Sequence, residues 1–194
     1  MSDEFLLWMD LETTGTDEHK DEILEVACVL TDSNLAELSS YETTIWPDGW
    51  DHDDGLPETI DSYVFQMHTK NGLWEDCAQQ GITLAQAQHD IAIRLRLTGR
   101  PQYVLAGSGV SHFDRRFLDA QMPLVTEWLK YYSIDVGVLR RTLRLIGCGD
   151  LVPDGPENKA HRAMADIRSH LDELRHYKRE LGELMAGWSD EHVP

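Results

Sequence analysis

The stretch Trp8-Met9-Asp10-Leu11-Glu12-Thr13-Thr14-Gly15 sets two carboxylates two positions apart, directly behind the apolar run Phe5-Leu6-Leu7. In an extended strand side chains alternate faces, so Asp10 and Glu12 point one way while Leu7, Met9 and Leu11 point the other. Both acids then share one small volume. Two carboxylates that close repel each other and lose hydration, a cost on the order of several kcal/mol unless protons or a cation compensate. A divalent metal is the natural compensation, although a pair on the solvated face of an edge strand would need none.

A second pair of chemical groups lies near the other end, in His161-Arg162-Ala163-Met164-Ala165-Asp166. Asp166 follows His161 by five positions, about 1.4 helical turns, so the two would not stack on one ridge of a helix. If His161 stands just ahead of a helix and Asp166 one turn inside it, both can face a common centre. Taken singly, each reads as an ordinary surface residue.

The composition narrows the classes. With 194 residues, 41% hydrophobic and 27% charged, the chain is long enough for one domain with a sizeable core, and residues 1–194 are read as a single domain. No apolar run reaches membrane-spanning length, and Met1-Ser2-Asp3-Glu4 lacks the positive start of a signal peptide, so a cytoplasmic protein is expected. Cys28, Cys77 and Cys148 have no metal-ligand spacing and read as buried or idle thiols. The net charge of −18, from 35 acids and 17 basic residues, argues against salt-driven gripping of a long nucleic acid backbone. An enzyme holding only a strand end needs few phosphate contacts, and bound metal ions can supply positive charge locally.

The elements that must position these groups are legible in outline. Phe5–Glu12, Glu22–Thr31 and Leu35–Trp46 read as strands, the last two joined by the turn Asp32-Ser33-Asn34. Pro47 to Gly55 is a polar loop whose Asp51, Asp53 and Gly55 miss the order of a calcium loop. Thr83–Leu97 has helical periodicity and ends at Gly99. Tyr103–Gly107 reads as a buried strand, followed by a helix over Asp114–Met122 that Pro123 stops. Tyr131–Asp135 is a further strand, Val136–Ile146 a helix, Gly147–Ala160 a loop, and a long helix begins near His161 and runs to about Met185. This order predicts an α/β fold with a mixed sheet and helices on both faces, its ligands collecting where strand ends meet helix starts. Asp10, Glu12 and Asp114 all fall at such ends. The Thr13-Thr14-Gly15 turn could offer backbone N–H groups and hydroxyls to a ligand, or simply end the strand, and Gly107-Ser108-Gly109 gives a small approach beside Asp114. The six tryptophans divide between core positions and base-stacking platforms.

Taken together, Asp-x-Glu-Thr-x-Gly near the N-terminus, Phe113-Asp114 in the middle and His161-x-x-x-x-Asp166 on the last helix resemble the DEDDh branch of 3′-to-5′ exonucleases. The stretches HTKNGL (68–73), DRRFLDAQMP (114–123) and HRAMADIRSHLDELRHYK (161–178) look most like the oligoribonucleases. The resemblance implies an RNase H-like, five-stranded mixed sheet, two Mg²⁺ or Mn²⁺ ions, and release of 5′-mononucleotides from short single-stranded oligonucleotides, RNA favoured. It assigns Asp10, Glu12, Asp114 and Asp166 as the metal-binding acids and His161 as the general base. Four acids balance four metal charges, two ions about 3.5–4 Å apart can clamp a scissile phosphate, and hard oxygen ligands favour magnesium or manganese. Thr13, Thr14, Tyr63, His68 and Ser108 are the expected contacts to the 3′ end of an RNA or DNA strand.

The chain departs from the oligoribonuclease pattern at the residues that cap the 5′ phosphate of a dinucleotide. Tyr132 and Gly137 stand in the places of an arginine and a serine; apart from that cap, Thr16 stands in the place of a leucine wedge and Tyr63 in that of a tryptophan upstream of His68. Tyr131 stands where oligoribonucleases use a tyrosine from the partner subunit, so a homodimer is implied and a monomer stays open. The competing readings are a proofreading-type DNA exonuclease and an inactive nucleic-acid-binding scaffold.

Overall fold

The computed structural model describes residues 4–50, 60–155 and 161–192, with side chains through residue 186. Five strands form one sheet in the order β3-β2-β1-β4-β5: β1 Leu6–Thr13, β2 Ile23–Thr31, β3 Glu37–Thr44, β4 Tyr103–Gly107 and β5 Leu129–Asp135. β1 pairs antiparallel with β2, and β2 with β3, while β4 runs parallel to both β1 and β5. The expected mixed five-stranded sheet is therefore present.

Alternation along β1 sorts its side chains between two cores. Leu7, Met9 and Leu11 pack with Ala87, Ile91 and Leu95 of α3 (Leu84–Leu97), with Phe117 and Leu118 of α4 (Asp114–Gln121), and with Val125 of α5 (Pro123–Thr126). Leu6 and Trp8 face the opposite layer, made by Val136 and Leu143 of α6 (Val136–Leu145) and by Ala163, Ile167, Leu171 and Tyr177 of α7 (Ala163–His192). Asp10 and Glu12 continue the face of Leu6 and Trp8 by the same alternation, and so emerge on the side where α7 begins.

Several boundaries differ from expectation for identifiable reasons. Leu35 has φ 67° and closes the turn in which Asp32 Oδ1 accepts the N–H of Asn34 and Ala36, at 2.8 and 2.9 Å, so β3 starts at Glu37. Pro123 ends α4 as predicted and also opens the single-turn α5, because proline suits a first helical position. Two helices absent from the sequence reading, α1 Ser62–Lys70 and α2 Leu73–Gln80, form a corner around Asn71 and Gly72. Leu73, Trp74 and Cys77 seat α2 against Leu24 of β2. Leu24 is the extra residue of a bulge: Glu12 pairs with Glu25 but Thr13 with Ile23. Bulges of this kind re-aim a strand end. Cys28, Cys77 and Cys148 are free thiols, the first two buried. Among the described residues no helix is long and apolar enough to cross a membrane. Asp51, Asp53 and Gly55 of the calcium-like loop lie outside the described residues, as do residues 156–160 of the loop before α7.

Candidate active site

β1, α4 and α7 deliver acids to one place. Asp114 is the first residue of α4, and its Oδ1 accepts the N–H of Leu11 at 2.9 Å, which ties the α4 start to the strand between Asp10 and Glu12. On the other side, a carboxylate oxygen of Glu12, one of Asp166 and a ring nitrogen of His161 lie within 4.8 Å of one another. His161 stands two residues ahead of α7 and Asp166 is in its first turn, the arrangement in which both can face a common centre.

The electrostatics of this cluster are those of a site with too much negative charge. Burial pushes the Asp10 carboxyl well above the usual carboxylate range, and the charges of Asp114, Glu12 and Asp166 push it further in the same direction. Burial likewise raises Glu12 to about 8, helped by Asp166, Glu25 and Asp114 and opposed by Arg162. Asp114 rises to about 7, again chiefly from burial, against the lowering effect of its backbone hydrogen bonds. Three acids raised above the usual carboxylate range by burial and by neighbouring carboxylates, with an imidazole beside them, fit a divalent cation. Asp10, Glu12, Asp114 and Asp166 are the groups that could hold it, and all four offer hard oxygen donors.

The expected substrate contacts divide into two groups. Tyr63 projects from the first turn of α1 with 68% of its surface exposed, and Ser108 lies half-buried at the end of β4 beside Gly137, where an added Cβ would meet Ser108 Oγ at 2.6 Å. Thr13, Thr14 and His68 are turned inward. Thr13 Oγ1 donates to the Gly15 carbonyl at 2.6 Å, and Thr14 Oγ1 donates to Asp21 and accepts the N–H of Glu22. His68 is fully buried, with Nε2 3.1 Å from the Thr13 carbonyl and 3.9 Å from Glu12 Oε2. These three shape the strand end that carries Glu12, and the hydroxyls of Thr13 and Thr14 are engaged within the turn.

Two acids at the site escaped sequence reasoning. Asp135 caps α6, its Oδ1 accepting the N–H of Val138 at 2.9 Å and of Gly109 at 3.2 Å, and its charge adds to the rise at Asp114. Glu25 lies in β2 opposite Glu12 and is 3% exposed. A lone charge inside the apolar strand ILEVACVLT was the signal that it needed a buried partner.

Comparison with known proteins shows the family and the fold. A family model described as an exonuclease (RNase_T) matches residues 7–174. The chain is 34% identical to an oligoribonuclease of Xylella fastidiosa over 93% of its own length and 91% of that protein's. It is 32% identical to a mitochondrial oligoribonuclease of Mus musculus, over 91% of its length and 73% of that protein's. In fold it resembles zinc-bound E. coli exonuclease I in complex with single-stranded DNA (TM-score 0.67, 18% identity), covering 95% of this chain and 42% of that one. This chain therefore spans about two-fifths of that structure. It belongs to the exonuclease family and, within it, to the oligoribonucleases.

Proposed function

We propose that this protein is a divalent-metal-dependent 3′-to-5′ exonuclease that releases 5′-mononucleotides from short single-stranded oligonucleotides, with RNA preferred to DNA. The observation that carries the reading is that Glu12 of β1 and Asp166 of α7 lie within 4.8 Å of each other and of His161, while Asp114 of α4 is hydrogen-bonded to the same stretch of β1. The similarity to oligoribonucleases supports the substrate class.

In this reading the four acids hold two Mg²⁺ or Mn²⁺ ions, which when bound supply Lewis acidity and charge neutralisation for phosphoryl transfer. A ring nitrogen of His161 takes a proton from the attacking water as its oxygen bonds to phosphorus. The bond from phosphorus to the 3′ oxygen of the preceding nucleotide breaks, and the departing oxygen takes a proton from solvent, leaving a 5′-mononucleotide and a new 3′-hydroxyl. Exposed Tyr63 stacks on a terminal base, Ser108 contacts the strand, and Thr13, Thr14 and His68 keep Glu12 in place. We place the chain as one exonuclease domain over residues 1–194 in the cytoplasm, which its free cysteines support. Tyr131, 94% exposed on the edge strand β5, supports a homodimer.

The test is a time course on 5′-labelled RNA and DNA oligomers of two to about twenty nucleotides, a range in which few phosphate contacts suffice for binding. A descending ladder that needs Mg²⁺ or Mn²⁺ and runs faster on short RNA is expected. Intact oligomers, or fragments from internal cuts, would refute the reading.

A further inference from the structure

Glu25 spends both carboxylate oxygens on the residues that separate His161 from Asp166. Its Oε1 accepts from Arg162 Nε at 3.0 Å and from an Arg162 Nη2 at 2.9 Å, and its Oε2 accepts the N–H of Ala163, the first residue of α7, at 2.8 Å. Arg162 is gripped from its outer side as well, with Nη1 2.8 Å from Asp76 Oδ2 and 3.4 Å from the Asn71 carbonyl. Burial works against the Arg162 charge, but the hydrogen bonds and charges of Glu25 and Asp76 outweigh it. Asn71 in turn donates from Nδ2 to the His161 carbonyl at 2.5 Å. Residues 161, 162 and 163 are thus each bonded to β2 or to the corner between α1 and α2, the corner formed by the HTKNGL stretch.

His161 itself has φ 47°. A non-glycine residue keeps a left-handed backbone only where its surroundings over-determine it, and these bonds are what surrounds it. β2 is also the strand that pairs with the Glu12 end of β1, so one rigid ladder references Glu12, and through Glu25 the residues of the α7 start, to a single frame.

We infer that Glu25 is a positioning residue of the metal site, acting through Arg162 and the Ala163 N–H to place the His161 ring and the Asp166 carboxylate against Glu12. The inference rests on the exonuclease reading for its consequence, but its test reads metal binding without substrate. With both oxygens engaged, Glu25 is not itself a ligand.

Two substitutions of opposite charge separate positioning from simple electrostatics. Glu25→Gln removes a negative charge and Arg162→Gln a positive one, so electrostatics alone would weaken Mn²⁺ binding in the first and strengthen it in the second. Positioning weakens both. Isothermal titration of the purified, folded variants with Mn²⁺ is expected to show affinities about 10–100-fold below wild type in each, the scale of lost outer-shell support. kcat on a short oligonucleotide is expected to fall with them while KM moves little. Wild-type or tighter Mn²⁺ binding by a folded Arg162→Gln, or unchanged binding by a folded Glu25→Gln, overturns the inference. If neither variant folds, Arg162→Lys decides: it keeps the positive charge and loses the forked contacts with Glu25 and Asp76, and it must weaken Mn²⁺ binding for the inference to stand. A wild-type protein that binds Mn²⁺ yet leaves oligonucleotides intact would sink the nuclease reading and leave the binding comparison valid.

Discussion

The N–H of Leu11 donates to Asp114 Oδ1 at 2.9 Å across 103 positions of sequence. That bond joins the strand carrying Asp10 and Glu12 to the first turn of α4, so Asp114 has two duties. One oxygen satisfies a buried backbone donor, and the carboxylate charge faces the other acids. Asp10 has only the second duty in the mechanism proposed here, and the two residues should respond differently to truncation.

Asp10→Ala removes a buried carboxyl from a site crowded with acids. Turnover should fall about 100-fold or more, the scale of losing one charge-stabilising group, while the metal-free protein melts at the same or a higher temperature. Asp114→Ala should lose comparable activity and also about 1–3 kcal/mol of stability, because the Leu11 N–H is left buried without an acceptor. Asp114→Asn, which keeps the acceptor, should recover the stability and not the activity. Differential scanning calorimetry with parallel activity assays checks all three.

Glu12 at about 8 and Asp114 at about 7 are carboxyls that hold protons in the folded, metal-free state over a range where the unfolded chain has lost them. The folded state then binds more protons, so the stability of the metal-free protein falls as pH rises from about 4 to about 8 and levels off above. Metal must displace those protons, so Mn²⁺ affinity should rise over the upper part of the same range. Melting curves in a chelator and Mn²⁺ titrations between pH 5 and pH 9 measure both slopes.

Gly107 ends β4 with its backbone against β1, and a Cβ there would sit 2.9 Å from the Met9 carbonyl oxygen and 3.2 Å from Val110 Cβ. Gly107→Ala should cost about 1–3 kcal/mol by overpacking, read from a denaturant melt. The same shift would push Ser108 and the α4 start outward, so activity should fall along with stability.

Tyr63 is exposed and capped into α1 by Asp61, which accepts its N–H at 2.8 Å. Tyr63→Ala should leave the melting temperature unchanged and raise KM for a short oligonucleotide about 5–100-fold, the range expected for one lost stacking contact. Steady-state kinetics on a trinucleotide measure it.

Much of this site could be read from the order of residues because local rules place it. Alternation alone puts Asp10 and Glu12 on one face of β1, and the strand-to-helix step puts Asp114 at a ligand-collecting end. The spacing of His161 and Asp166 required one of them to precede the helix, as His161 does. What could not be read depends on distant partners. Glu25 acquires its role from Arg162, 137 positions away, and Asp135 from Gly109 in a loop of another crossover. α1 buries His68 rather than an aliphatic stripe, so it left little apolar periodicity, and α2 shows only the short cluster Leu73, Trp74 and Cys77. Thr13 and Thr14 carry hydroxyls suited to a ligand, and only the fold reveals that Gly15, Asp21 and Glu22 engage them.

Acids from β1, α4 and α7 are expected to gather around bound divalent metal. Crystals soaked in millimolar Mn²⁺ and measured at the manganese absorption edge test it directly. Anomalous peaks bounded by Asp10, Glu12, Asp114 and Asp166 are the predicted result. Manganese located only elsewhere on this acidic surface, with those four carboxylates free of it, would show that they are not a metal site.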